Sequence, residues 1–174
     1  MTPSTSFPPA VADSAGYLSA IPLDMPAMLA QTHHPGAGAI VLFSGETRDN
    51  SHGRAVARLD YEAHESMANK MIAAILEDAG KQWQLKIALA CHRTGTVAIG
   101  ETAVVVITAA AHRREAYAAN RYIIDRIKHE APIWKQEFFA DGASEWGGNC
   151  DCHKITGDVH THIYESGQDN LIAG

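Results

Sequence analysis

Pro132 constrains the fold of this chain more than any other residue, because it stands between two strongly patterned segments. Residues 113–130 repeat apolar groups at helical spacing, with Ala116, Ala119, Ile123 and Ile127 on one face. A proline lacks the N–H that a helix interior uses and its ring clashes with the preceding turn, so the helix must stop before it. The residues beyond it, IWKQEFF at 133–139, read as a strand. The polypeptide is therefore committed to a helix-to-strand corner. That corner carries Lys128 on one side and Lys135 on the other, each in apolar surroundings. Two amines so placed suit an anion or, where the ammonium form is destabilised, attack on a carbonyl.

The rest of the chain supplies strands and one more long helix. Residues 38–45 (GAIVLFSG) form a continuous apolar run between glycines, as in a buried strand. A polar loop, ETRDNSHG at 46–53, follows. Residues 56–64 alternate, which turns Leu59 and Tyr61 inward. Residues 65–81 repeat Met67, Met71, Ile75 and Ala79 every fourth position, a helix with Gly80 marking its end. Strands follow at 86–91 and at 102–109 (TAVVVITA), with a loop at 92–95 and a turn at 97–100 between them. Upstream, 17–23 reads as a short edge strand, and Asp24 as the cap of a helix over 25–32. Downstream, Asp141-Gly142 turns the chain and 144–146 closes the core. The order β-α-β-β-α-β-β-α-β sets pairs of strands between helices. That favours an α+β fold, with a mixed or antiparallel sheet and two long helices, over a doubly wound parallel sheet. One domain over 16–146 is expected, after a Ser/Pro/Ala-rich disordered leader at 1–15 and before a variable tail at 147–174.

A formal net charge of −6 argues against general nucleic-acid binding, which needs a basic face. No apolar run approaches the ~20 residues of a membrane span, and the leader lacks the basic start and apolar core of a signal peptide. A cytoplasmic protein is expected. Cys91, Cys150 and Cys152 are odd in number, and the last two are too close for an easy mutual disulfide, so a reducing compartment fits.

Within this acidic chain the basic groups gather at element ends. Arg48 follows the first core strand, Arg93 the third, and His112-Arg113 open the 113–130 helix, where backbone amides also attract anions. Lys128 and Lys135 flank the next corner. Each alone reads as a solvated surface charge; together they read as a pocket for phosphate or carboxylate. Cys91 reads as a small core residue. No phosphate loop, dinucleotide fingerprint or nucleophile elbow is present. The tail Cys150-Asp151-Cys152-His153, with His160 and His162, offers soft-metal ligands, but Cys-x-Cys is tighter than zinc spacing, and no metal is assigned.

These segments resemble the large, catalytic subunit of the molybdopterin synthase family. The resemblance rests on GAIVLFSGETRDNSHG at 38–53, LDYEAHESMANK at 59–70, CHRTGTVAIGE at 91–101 and AAAHRREAYAANRYIIDRIKHEAPIWKQE at 109–137. It implies an α/β hammerhead fold and a sulfurtransferase of molybdenum-cofactor biosynthesis. Such an enzyme converts cyclic pyranopterin monophosphate to molybdopterin by inserting two sulfurs. The sulfur arrives as a thiocarboxylate on the C-terminal Gly-Gly of a small ubiquitin-like subunit, and large subunits form a homodimer with one small subunit at each end. By motif position, Lys128 and Lys135 match the catalytic lysines. Arg48, His112 and Arg113 match the substrate-binding groups, with Thr47, Gln136 and Glu137 in the same segments. The resemblance calls for no metal or redox cofactor. Two alternatives stand beside it: a non-catalytic anion-binding module of the same fold, and a metal-binding protein using the Cys/His tail.

Overall fold

The valine-rich run becomes the middle of a four-stranded sheet in the computed structural model, which describes residues 16–148. The expected leader at 1–15, and Cys150, Cys152 and His153 of the tail, lie outside the described residues. In chain order the elements are β1 (Leu18–Ser19), α1 (Met25–Ala30), β2 (Ala39–Glu46), β3 (Asn50–Ser51), β4 (Arg54–Ala63) and α2 (Glu65–Trp83). Then come β5 (Ile87–Arg93), β6 (Gly95–Ala98), β7 (Thr102–Ala110), α3 (Arg113–Glu130), β8 (Ile133–Phe139) and β9 (Ser144–Gly148). The first sheet has the order β1-β5-β7-β2, with β5 and β2 antiparallel to β7 and β1 parallel to β5. The second has the order β3-β4-β8-β9, with β6 also on β4, and is antiparallel throughout. The fold is α+β, with one mixed sheet, one antiparallel sheet and two long helices.

Small residues let these layers close. α3 sets Ala116 and Ala119, both fully buried, among Val104 and Val106 of β7 and Ala88 and Ala90 of β5. α2 adds Ile72, Ile75 and Ala79 to the same core. The inner face of the second sheet joins it through Val56, Leu59, Tyr61, Val97, Ile133 and Phe139. On the opposite face of the first sheet, α1 lays Met28 over Leu89, Cys91, Val105 and Ile107. β5 and β7 are thus covered on both faces, which explains why their sequences read as unbroken apolar runs. Asn120 is the polar exception on the buried face of α3. Its amide donates to the carbonyls of Val41 at 3.0 Å and Val106 at 3.1 Å, and so keys the helix to two strands at once.

Several boundaries move for identifiable reasons. Only Leu18 and Ser19 of the 17–23 segment pair, and they extend β5 through His92 and Arg93, where a loop was expected. α2 continues past Gly80, which is buried in the helix packing, and stops at Gln84 in the left-handed conformation with φ 48°. The 95–98 segment, expected to lead into a turn, is β6 and pairs with β4. The 46–53 loop contains β3, because His52 (φ 49°) and Gly53 (φ 80°) form a tight left-handed turn that folds Ser51 back against Arg54.

Candidate active site

The helix-to-strand corner forms as the proline requires. α3 ends at Glu130, Ala131 adopts an extended conformation (φ −67°, ψ 132°), and β8 begins at Ile133. The carbonyl of Pro132 accepts from the N–H of His64 at 3.0 Å, which ties the corner to the start of α2. Lys128 lies in the last turn of α3, where a cation meets the negative end of the helix dipole. Lys135 sits on the central strand β8, opposite Tyr61 of β4 on one side and Gly147 of β9 on the other, and is buried.

Both lysines open onto one cleft of about 200 Å³. β4 forms its floor with Val56, Leu59 and Tyr61; the 46–51 segment forms a wall with Glu46, Arg48, Asn50 and Ser51. A register shift at Gly45/Glu46 releases that wall from β2. A Cβ on Gly45 would lie 2.7 Å from a methyl of Val104, so a glycine is needed for this close approach. Three cations (Arg48, Lys128 and Lys135) thus face two carboxylates, Glu46 and Glu137. Glu137 is an ion-pair partner of Lys135 at 2.9 Å, with both side chains largely withdrawn from water. Its two oxygens also accept from the Ser51 hydroxyl, at 3.2 and 3.0 Å. The Glu46 carboxylate accepts from the hydroxyls of Thr102 and Ser44, outside the lysine cluster. Such an arrangement suits a small anion bearing more than one negative group.

The remaining candidates from the sequence lie elsewhere. Thr47 is buried; its N–H donates to the Glu101 carbonyl and its own carbonyl accepts from Gly100, so it anchors the wall rather than lining the cleft. Its hydroxyl has no partner among the described residues. Gln136 alternates with Lys135 and Glu137 along β8 and so faces the other side of the sheet, where it bonds to Ser144 at 3.2 Å. His112 and Arg113 are exposed at the start of α3. Lys128 lies sixteen residues further on, roughly 24 Å away at the α-helical rise. Sequence reasoning missed Ser51 and treated Tyr61 as core only. The His52-Gly53 pair flanked by alternating residues was the available signal for the hairpin that brings Ser51 in. Among the described residues no cluster of His, Cys, Asp and Glu is arranged to hold a metal.

The family model described as MoaE protein matches residues 18–130, which span both long helices and the strands between them. This chain belongs to the MoaE family. Relatives of this MoaE chain include the molybdopterin synthase catalytic subunit of Thermoplasma volcanium, 42% identical over 72% of this chain and 89% of that protein. The Bacillus subtilis protein of the same name is 40% identical over 79% and 82%. Among solved structures, molybdopterin synthase from Staphylococcus aureus aligns with a TM-score of 0.72 and 34% identity, covering 76% of this chain and 96% of that one. A complex of subunits 1 and 2 of molybdopterin-converting factor from Helicobacter pylori shares the fold, with a TM-score of 0.62 at 21% identity over 76% and 90%. The MoaE chain is thus an enzyme subunit of molybdenum-cofactor biosynthesis. Among the described residues no helix is long and apolar enough to cross a membrane.

Proposed function

We propose that this MoaE chain transfers two sulfurs to cyclic pyranopterin monophosphate to give molybdopterin, taking each from the C-terminal thiocarboxylate of a small ubiquitin-like subunit. The observation that carries this reading is the meeting of Arg48, Lys128 and Lys135 in one cleft of an acidic protein. A phosphorylated substrate and a thiocarboxylate donor are both anions, and three cations serve both. Lys128, in the last turn of α3, stabilises the thiocarboxylate and moves a proton at the reacting carbon. Lys135, fixed on a central strand, assists opening of the cyclic phosphate. Arg48 holds the phosphate, and Glu137, two positions after Lys135 on β8, is that lysine's ion-pair partner at 2.9 Å.

His112 and Arg113 complete the site from a second copy of the chain. Within one chain the α3 helix holds them too far from Lys128 to touch the same small molecule. β2 ends the four-stranded sheet, and among the described residues its outer edge has no strand partner. Pairing two such edges about a two-fold axis runs them antiparallel. The Ala39 end of one β2, next to Ala110 and hence His112 and Arg113, then lies beside the Glu46 end of the other, next to Arg48. A homodimer of this kind, with a small subunit at each end, is the expected assembly; the solved Helicobacter pylori complex of two subunits supports the small partner.

The test is to supply precursor and thiocarboxylated small subunit to Lys128→Ala. Loss of dithiolene product is expected, and formation at a near-wild-type rate would overturn the assignment. Tight binding of precursor by the wild-type chain without any product would instead identify a non-catalytic anion-binding module.

A further inference from the structure

Ser51 is a buried polar residue at the cleft that the proposed chemistry leaves without a task. Its place is an unusual construction. β3 is only two residues long, and the turn behind it requires positive φ at His52 as well as at Gly53. A side-chain-bearing residue in that conformation costs energy that the surrounding structure must offset. The consequence of the turn is that Ser51 faces inward, 7% exposed, against Glu137. A serine hydroxyl has one proton, and here it is shared between both carboxylate oxygens, while Lys135 pairs with one of the same oxygens.

A carboxylate in a cleft for two anions is otherwise a liability. Turned toward the substrate it would repel phosphate and thiocarboxylate alike, and it would draw Lys135 with it. Held against Lys135 it is neutralised, and the ammonium is held in one place as well. β8 lies between β4 and β9, so the backbone of Glu137 is fixed on both sides and only its side-chain rotation is left to control.

We propose that Ser51 is a positioning residue, whose hydroxyl pins the Glu137 carboxylate onto Lys135 and keeps it out of the space that the anionic substrate enters. This rests on the sulfur-transfer reading for its kinetic consequences, but the pinning itself is a property of the free protein. Ser51 acts through Glu137 and touches no substrate.

The experiment compares Ser51→Ala, Ser51→Thr, Glu137→Gln and the Ser51→Ala/Glu137→Gln double variant in the full chain with its small subunit. Ser51→Ala is expected to lower kcat/KM about tenfold, the usual scale for a hydrogen bond to a charged group. The thermal midpoint should fall by no more than the few degrees that one lost hydrogen bond implies, and Ser51→Thr, which keeps the hydroxyl, should restore the rate. In the Glu137→Gln background the serine substitution should have little further effect, because the group it acts through is already changed. A second readout does not depend on turnover: carboxyl carbon NMR of the free chain, with Glu137 assigned by its loss in Glu137→Gln. That resonance should change position in Ser51→Ala, because the carboxylate loses the donor that both its oxygens share. A wild-type rate in Ser51→Ala, full additivity in the double variant, or an unmoved Glu137 carboxyl resonance would each overturn the inference. If the wild-type chain makes no product, the sulfur-transfer reading falls, and the NMR comparison still decides the pinning.

Discussion

Lys128 and Lys135 sit seven positions apart, yet the corner gives them different surroundings. Lys128 is half-buried on a helix end, whereas Lys135 is buried beside Glu137. Removing Lys135 therefore strands a carboxylate that is only 13% exposed, so Lys135→Ala is expected to lower stability as well as activity. Lys128→Ala should lower activity with a smaller loss of stability. Urea denaturation of both variants beside product assays checks this difference. Cys91 gives a second contrast. Burial pushes its thiol up from 9.0 to about 12, so it stays protonated in the folded protein at neutral pH. It should react with a thiol reagent only after denaturation. The unfolded thiol ionises first, so stability is untouched below pH 9.0 and declines above it until about 12. The decline attributable to this group approaches ~1.4 kcal/mol per pH unit, and Cys91→Ala should abolish that part of it in denaturation measured at pH 8 and pH 10.

At the scale of elements, α3 matters most because it has His112 and Arg113 at its start and Lys128 in its last turn and is fixed by its middle. Asn120 bonds β2 and β7 through two carbonyls and lies next to the Thr108 hydroxyl. Asn120→Leu would leave those carbonyls short of a donor and is expected to cost roughly 1–3 kcal/mol. Chemical denaturation compared with wild type checks this. The helix itself was legible from its spacing, and so was its stop at Pro132, because both depend on local rules. β6 was not legible, since GTVA gains strand conformation only by lying against residues 58–61 of β4. The same holds for β1, two residues long and dependent on β5 for partners. At the second sheet's far edge, Arg54 stacks 3.5 Å over Phe139 and bonds Asp141 at 3.1 Å, joining β4 to the turn between β8 and β9. The Ala143 N–H and then Arg54 hold the Asp141 carboxyl below its usual range. That contribution is present above the ordinary carboxylate range and is lost as pH falls through the lowered value.

For the whole molecule, the decisive expectation concerns sites shared between chains. If His112 and Arg113 serve the partner's cleft, neither Arg113→Ala nor Lys128→Ala alone makes product. Co-refolding the two at equal concentration should recover about a quarter of wild-type activity, because half the dimers are mixed and each has one intact site. No recovery would show that both groups act within one chain or that the dimer does not exchange. The sequence by itself determined the helix, the proline corner and the set of basic residues, because period, ring geometry and charge are local properties. It also carried the family resemblance, since the matching segments run in order from 38 to 137. Only the tertiary structure decided which of those residues share a cleft. Pleating sent Gln136 to the far face, packing drew Thr47 inward, and the length of α3 separated His112 and Arg113 from the lysines. The hairpin at His52 and Gly53 brought in Ser51 to meet a carboxylate 86 positions away. Such meetings depend on sheet register and layer packing, which are set by contacts distant in sequence rather than by any local pattern.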